Sequence, residues 1–196
     1  PSVFSEYKKA FPNVQLLVDR SYGGHVVEAV IDNLADFGFT QLPVQEKKLS
    51  VLPVHTDEIV LLVPAGHHLA GRPAVTCGDL LNEPLLLPKG GATRAKLNQW
   101  LEPVEDHIQI SMELDSTEMI KRFVLTGLGL SFMAASHCRE ETAAGKLAAV
   151  SLAPEPVIRR LGLIYRKDKA FSKAGLGFIQ VVSERAGMVQ PVELPG

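Results

Sequence analysis

Gly23-Gly24 is the first segment of the sequence whose residue types suit ligand binding. It lies between a strand-like apolar stretch, residues 14–18, and apolar residues at helical spacing that begin at Val26. At such a strand-to-helix turn, free backbone N–H groups and the positive end of the helix favour an anion. A tight turn that needs positive φ explains the same two glycines, so both interpretations stay open.

A second glycine-rich segment runs from Lys89 to Arg94 and leads into a predicted helix. Gly90 and Gly91 stand where that helix begins, and Thr93 with Arg94 can donate hydrogen bonds to a carboxylate. A solvated surface arginine is the alternative for Arg94. This second helix N-terminus therefore also favours a small anion, and a carboxylate metabolite in particular.

The histidines and cysteines form no recognisable metal or redox motif. His67-His68 follows a predicted strand with no Cys, Asp or Glu at ligand spacing, so no metal is predicted. Cys77 and Cys138 are too few for a disulfide framework, and we interpret both as structural thiols. No cofactor is predicted.

Common catalytic motifs are missing from the sequence as well. It contains no Gly-x-Ser-x-Gly elbow, no Gly-x-x-x-x-Gly-Lys loop and no His-Glu-x-x-His helix. Asp115, Ser116 and Thr117 precede a helical pattern, where helix capping is their expected role. The sequence therefore favours a binding protein over an enzyme.

The composition excludes two classes of partner. Among 196 residues, 46% are apolar, and 20 basic against 22 acidic side chains give a formal net charge of -2. This balance offers no basic surface for duplex DNA. No apolar stretch reaches the roughly 18 residues of a membrane span, and the segment from Pro1 has no signal-peptide pattern. We predict a cytoplasmic protein that does not bind nucleic acid through this chain.

Apolar periodicity alternates between helices and strands, which predicts an α/β fold with parallel sheets covered by helices. Strands are predicted at residues 14–18, 37–40, 49–54, 59–63, 85–87, 108–114, 130–133 and 161–165. Helices are predicted around residues 3–11, 26–34, 97–101, 119–124, 136–143 and 171–182, with a short one capped by Thr76 and Asp79. Residues 153–156 are predicted to form a stiff, extended connector, and residues 187–196 a flexible tail.

The order of these motifs resembles the effector-binding domain of LysR-type transcription regulators. The resemblance runs from about Ser2 to Arg185 and depends on five stretches: Phe11–Val14, Ile59–Ala70, Asp79–Leu86, Met119–Val124 and Gly127–Met133. Each stretch is degenerate by itself, but all five occur here in the family's order.

The resemblance implies two Rossmann-like lobes joined by two crossing strands, as in type 2 periplasmic binding proteins, with the ligand in the cleft. Lobe one would comprise residues 1–58 and 159–186, and lobe two residues 59–158. Thr40 stands where the family often has a polar cleft residue, although β-propensity alone would also explain it. The family's usual first strand, its hydroxyl-bearing loop and its winged helix-turn-helix would all lie before Pro1 and outside this chain.

The predicted function is therefore to sense a small, anionic metabolite and to control DNA binding allosterically. The predicted effector site comprises Gly23, Gly24 and Thr40 on lobe one and Gly90, Gly91, Thr93 and Arg94 on lobe two. The chain is expected to form a homodimer or homotetramer through the apolar face of its first helix, and DNA would be bound by the absent domain. A solute-binding protein of a transport system with the same fold is the alternative.

Overall fold

Two compact units make up the chain, and the computed structural model describes residues 2–21 and 23–188. The first unit contains the residues up to Thr56 and those from Arg160 onward, and the second runs from Asp57 to Arg159. Two long strands, β2 (Leu49–Pro64) and β8 (Val157–Arg166), each contribute residues to both units.

Helices and strands alternate along most of the chain, as the periodicity predicts. The helices are α1 (Ser2–Ala10), α2 (Gly23–Ile31), α3 (Gly91–Leu101), α4 (Thr117–Leu125), α5 (Arg139–Ala143) and α6 (Lys173–Met188). The remaining strands are β1 (Gly38–Gln41), β3 (Ala74–Val75), β4 (Pro84–Pro88), β5 (Gln109–Leu114), β6 (Leu130–Ala134) and β7 (Leu147–Leu152). Short 3-10 turns cover Cys77–Leu80, Glu102–His107 and Ala135–His137.

In the first unit, α1 packs inward against α6. Tyr7 is 2% exposed and donates a hydrogen bond from its hydroxyl to the Ala174 carbonyl oxygen at 2.9 Å. Its ring meets the edge of Phe178, and Phe4 and Phe11 join the same aromatic cluster. The apolar face of α1, which suggested self-association, is therefore used largely by the core of its own unit.

The second unit is built on a central, fully buried strand. Leu85, Leu86 and Leu87 of β4 are each at most 1% exposed, as expected for a strand covered on both faces. Leu85 and Leu87 point into the layer that contains Leu97 of α3, and Leu86 points into the layer of α4. Neighbouring strands β5 and β6 both run parallel to β4.

The predicted α/β class is confirmed, and the pairing pattern adds antiparallel strands to the predicted parallel ones. β1 pairs with β8, and β2 pairs with both β6 and β7, in antiparallel register. β3 pairs with β7, and β4 with its two neighbours, in parallel register. The sheet is mixed because β2 runs antiparallel to β6, which is itself parallel to β4.

Three strand predictions were wrong. Residues 14–18 form no strand, and Leu17 and Val18 are 85% and 68% exposed. The two strands predicted on either side of Asp57-Glu58 are one continuous strand, β2. Strands β3 and β7 were not predicted at all, because β3 is two residues long and the alanines of β7 weaken its β signal.

Two predictions about connecting segments also need correction. Residues 153–156 form a bend rather than an extended connector. The last helix includes Gly187 and Met188, which the sequence placed in the tail, and residues 189–196 of that prediction lie outside the described residues. The capping box of Thr76 and Asp79 is confirmed, with the Asp79 carboxylate accepting from the Thr76 N–H at 2.8 Å.

Candidate functional site

The parallel strands of the second unit bring three chain segments to one edge of the sheet. Because β4, β5 and β6 are parallel, the residues that follow them lie at the same edge. These segments are residues 89–91, 115–117 and 135–137. Ligands of open α/β sheets bind at this carboxyl edge of the strands, so this edge is the place to examine for a site.

The backbone conformation requires glycine at position 91 but not at position 90. Gly91, the first residue of α3, has φ 86°, which an L side chain adopts only under strain. Gly90 is the N-cap in extended conformation, and a Cβ atom added there would meet nothing within 4 Å. No side chain caps the N–H groups of the first turn of α3. The absence of a side chain at Gly90 thus leaves open space beside the uncapped N–H groups of the first turn of α3.

Arg94 is held by its own unit. Its Nη1 donates to the Pro88 carbonyl oxygen at 2.7 Å and to Glu113 Oε1 at 2.5 Å, and its Nε donates to Asn98 Oδ1 at 2.7 Å. Its side chain is 16% exposed, so the alternative of a solvated surface arginine is wrong. The guanidinium ties α3 to the ends of β4 and β5, and Glu113 balances its charge. Thr93 beside it is half-buried.

Ser116 has the capping role that the sequence predicts. Its Oγ accepts a hydrogen bond from the Met119 N–H at 3.3 Å, at the start of α4. This use of the hydroxyl accounts for Ser116 without a ligand.

A buried polar cluster at the same edge was not predicted. The Asp57 carboxylate accepts from the Ser136 hydroxyl at 2.5 Å and from the Glu58 N–H at 3.0 Å. Arg159 Nη2 lies 3.8 Å from Asp57 Oδ2 and 3.3 Å from His137 Nε2. These residues are far apart in sequence, and the sole hint was the polar pair Asp57-Glu58 within an apolar stretch.

Arg159 is the least compensated charge of this cluster. Its side chain is 13% exposed, and burial lowers the pKa of its guanidinium, an effect that the Asp57 charge opposes. Its Nε is buried and, among the described residues, has no hydrogen-bond partner. A buried cation with an unused donor is costly unless a further acceptor is supplied.

The predicted residues of the first unit lie at the start of α2 and on β1. Gly24 is exposed, a Cβ atom added there would meet nothing within 4 Å, and its φ is not positive. The tight-turn interpretation is therefore wrong for Gly24, while Gly23 is the first residue of the helix. Thr40 is 6% exposed and stands opposite Gly162 of β8.

Two further groups bear on metal and redox chemistry. His67 and His68 have Glu83 beside them, with Nε2–Oε distances of 3.4 Å from each histidine. The fold brings this carboxylate beside the histidines from the residue that directly precedes β4. Cys77 and Cys138 are free thiols; burial raises the pKa of Cys138 to about 11, with the Glu141 charge as the second cause.

The chain has an α/β fold of the periplasmic-binding-protein type. The regulatory domain of CcmR from Synechocystis PCC6803, solved in complex with 2-PG, matches with a TM-score of 0.84 at 20% identity, over 96% of this chain and 91% of that one. None of the described helices is long and apolar enough to cross a membrane.

The family model of the LysR substrate binding domain matches residues 1–187, and the chain belongs to that family as an effector-binding domain. The transcriptional activator CmpR of Synechocystis is 23% identical over 91% of this chain and 59% of its own length. The uncharacterized regulator YeiE of Escherichia coli K12 is 28% identical over 89% of this chain and 59% of its own. The chain thus spans about three fifths of these relatives. They are transcription regulators, so the transport alternative is not favoured.

Proposed function

We propose that this chain binds a small anionic effector, most readily a carboxylate, and that the effector controls DNA binding by the full-length regulator. The environment of Arg159 is the main observation that supports an anionic effector. Its guanidinium is largely buried, its carboxylate partner Asp57 is 3.8 Å away, and its Nε has no partner among the described residues. An anionic oxygen at that nitrogen would supply the missing acceptor.

The backbone at the start of α3 offers further N–H donors for an anion. The segment that contains Ser136 follows β6, and Gly90 follows β4; the two strands are neighbours in parallel register. The uncapped N–H groups at the start of α3 therefore lie near the edge that carries Arg159, and they favour negative charge. Thr93 and Arg94 stay in the proposed site, but Arg94 would have to share its Nη1 with Glu113.

In the first unit, the proposal retains Gly23, Gly24 and Thr40. The open space around Gly24 at the start of α2 supports close approach of a ligand to the backbone. The complex of CcmR with 2-PG supports ligand binding by a domain of this fold.

Calorimetric titration tests the anion site directly. The panel pairs small carboxylates and phosphate esters with neutral and cationic analogues of similar size. Losing a charge-assisted hydrogen bond typically costs about 1.5–3 kcal/mol, so Arg159→Gln should weaken binding about ten- to a hundredfold. Gly90→Ala should weaken binding too, because the added methyl group occupies space beside the donors without disturbing the fold.

Arg122→Gln is the matched control, since it removes the same charge from a side chain that is 76% exposed on α4. It should bind like the wild type. Arg159→Lys separates charge from geometry, and Trp100 fluorescence verifies that each variant is folded. If the ligands that bind are consistently neutral or cationic, or if both site variants keep wild-type affinity, the proposal is wrong.

A further inference from the structure

We propose that His67, His68 and Glu83 form a binding site for a divalent transition-metal ion of the zinc type. The three residues each offer one ligand atom, and these atoms all lie within 4.8 Å of one another. This site is separate from the proposed effector site. It lies at the amino end of β4, whereas Gly90 follows its carboxyl end.

Sheet topology explains why the three side chains meet. β2 is antiparallel to β6 and β6 is parallel to β4, so the end of β2 and the start of β4 share one edge. His67 and His68 lie in the turns after β2, and Glu83 directly precedes β4. Leu69 and Leu80, which are 1% and 0% exposed, anchor the two segments in the core. The ligand positions are therefore fixed by packing rather than by loose side chains.

The distances suit a shared metal ion better than hydrogen bonds. His67 Nε2 lies 3.4 Å from Glu83 Oε2 and His68 Nε2 lies 3.4 Å from Glu83 Oε1, so each histidine faces a different carboxylate oxygen at a distance longer than a good N–H···O bond. Two ligands of a tetrahedral zinc ion with bonds of about 2.0–2.1 Å lie about 3.4 Å apart. His67 and Glu83 are 20% and 16% exposed, and His68 is 65% exposed, so an ion could enter from the side of His68.

The donor set selects the class of ion. Two imidazoles and one carboxylate suit Zn²⁺, Ni²⁺ or Cu²⁺, whereas Mg²⁺ and Ca²⁺ prefer oxygen ligands. Coordination through His67 Nε2 moves the ring proton to Nδ1, which now accepts from the Leu69 N–H at 3.3 Å. The metal would displace that long hydrogen bond and the two direct His–Glu83 contacts.

Titration of the tag-free chain with ZnCl₂ in a carboxylate-free buffer tests the site. We expect one ion per chain with a dissociation constant on the order of micromolar, and intense visible absorption when Co²⁺ replaces Zn²⁺. His68→Ala and Glu83→Gln should each weaken Zn²⁺ binding at least about tenfold. Glu83→Gln keeps the shape of the side chain, and His68 is mostly exposed, so both variants should fold.

His107→Ala is the control, because it removes an exposed histidine of the same unit. It should leave Zn²⁺ affinity unchanged, as should Gly90→Ala, which separates this site from the proposed effector site. CaCl₂ should give no binding. The proposal is overturned if the wild type binds no Zn²⁺, or if His68→Ala and Glu83→Gln bind it as tightly as the wild type; the cluster is then a pair of His–Glu contacts.

Discussion

Replacing Gly129 by alanine should destabilise the second unit far more than a glycine-to-alanine change usually does. Gly129 precedes β6 beside the start of β4. A Cβ atom there would lie 2.5 Å from the Pro84 carbonyl oxygen and 3.0 Å from Leu86 Cγ. Ordinary contact begins at 3.4 Å, so the backbone of the neighbouring strand must retreat by about 0.9 Å.

The cost follows from what such a shift disturbs. Overpacking in a filled core costs about 1–3 kcal/mol, and each weakened ladder hydrogen bond adds up to about 1 kcal/mol. The lower chain entropy of unfolded alanine returns about 0.5–1 kcal/mol. The net loss in the free energy of unfolding should therefore be about 2 kcal/mol, within a range of about 0–3.5 kcal/mol, and the urea midpoint should fall by about 1 M.

Trp100 provides the assay. It is the single tryptophan of the sequence, it belongs to the second unit, and it packs edge-on to Phe132 at 5.9 Å. Its fluorescence during urea unfolding reports on that unit.

Two matched substitutions complete the series. Gly66→Ala meets nothing within 4 Å and should leave the midpoint almost unchanged. Gly127→Ala also has open space but must adopt φ +75°, which should cost about 1 kcal/mol. A Gly129→Ala midpoint equal to that of Gly66→Ala would refute the steric argument.

Two further predictions concern the thiols and the assembly. Cys138 should resist an aromatic disulfide reagent at neutral pH while the partly exposed Cys77 reacts, because burial holds the Cys138 pKa at about 11. A folded-state pKa raised above 9.0 stabilises the fold below pH 9 and loses that contribution as pH rises through about 11. Two fast-reacting thiols in the wild type, or one fast-reacting thiol in Cys77→Ala, would contradict this. Sedimentation at tens of micromolar should show that the chain self-associates, with the exposed Leu17 and Val18 as candidate contacts. The chain should not co-sediment with random duplex DNA. A clean monomer would count against the first assignment, and salt-sensitive DNA binding against the second.

Local patterns predicted most of the helices and the buried strands. The leucines of β4 and the caps of α4 are signals that neighbouring residues carry by themselves. The strand predicted at residues 14–18 failed because a short apolar stretch does not by itself provide a pairing partner. The prediction that β2 is interrupted was wrong. A charged residue such as Asp57 usually marks the end of a buried strand, but here the Ser136 hydroxyl donates a hydrogen bond to its carboxylate.

The candidate site residues likewise fall into those that local sequence predicts and those that depend on contacts between distant segments. The glycines at the starts of α2 and α3 could be found because a helix N-terminus is a local feature. Arg159 could not, since its role depends on Asp57 and on strand pairing across long sequence separations. Glu83 was missed beside the histidines for the same reason.

The hydrogen bonds of Arg94 suggest how ligand binding at the proposed site would affect the edge of the sheet. Glu113 lies on β5, the outermost strand of the second unit's sheet, where Ile110 is 45% exposed. A ligand that draws Nη1 of Arg94 to itself leaves Glu113 without its cation. Ligand binding would then leave an unpaired carboxylate on the outermost strand of the sheet, the kind of edge that another chain can recognise by pairing with it.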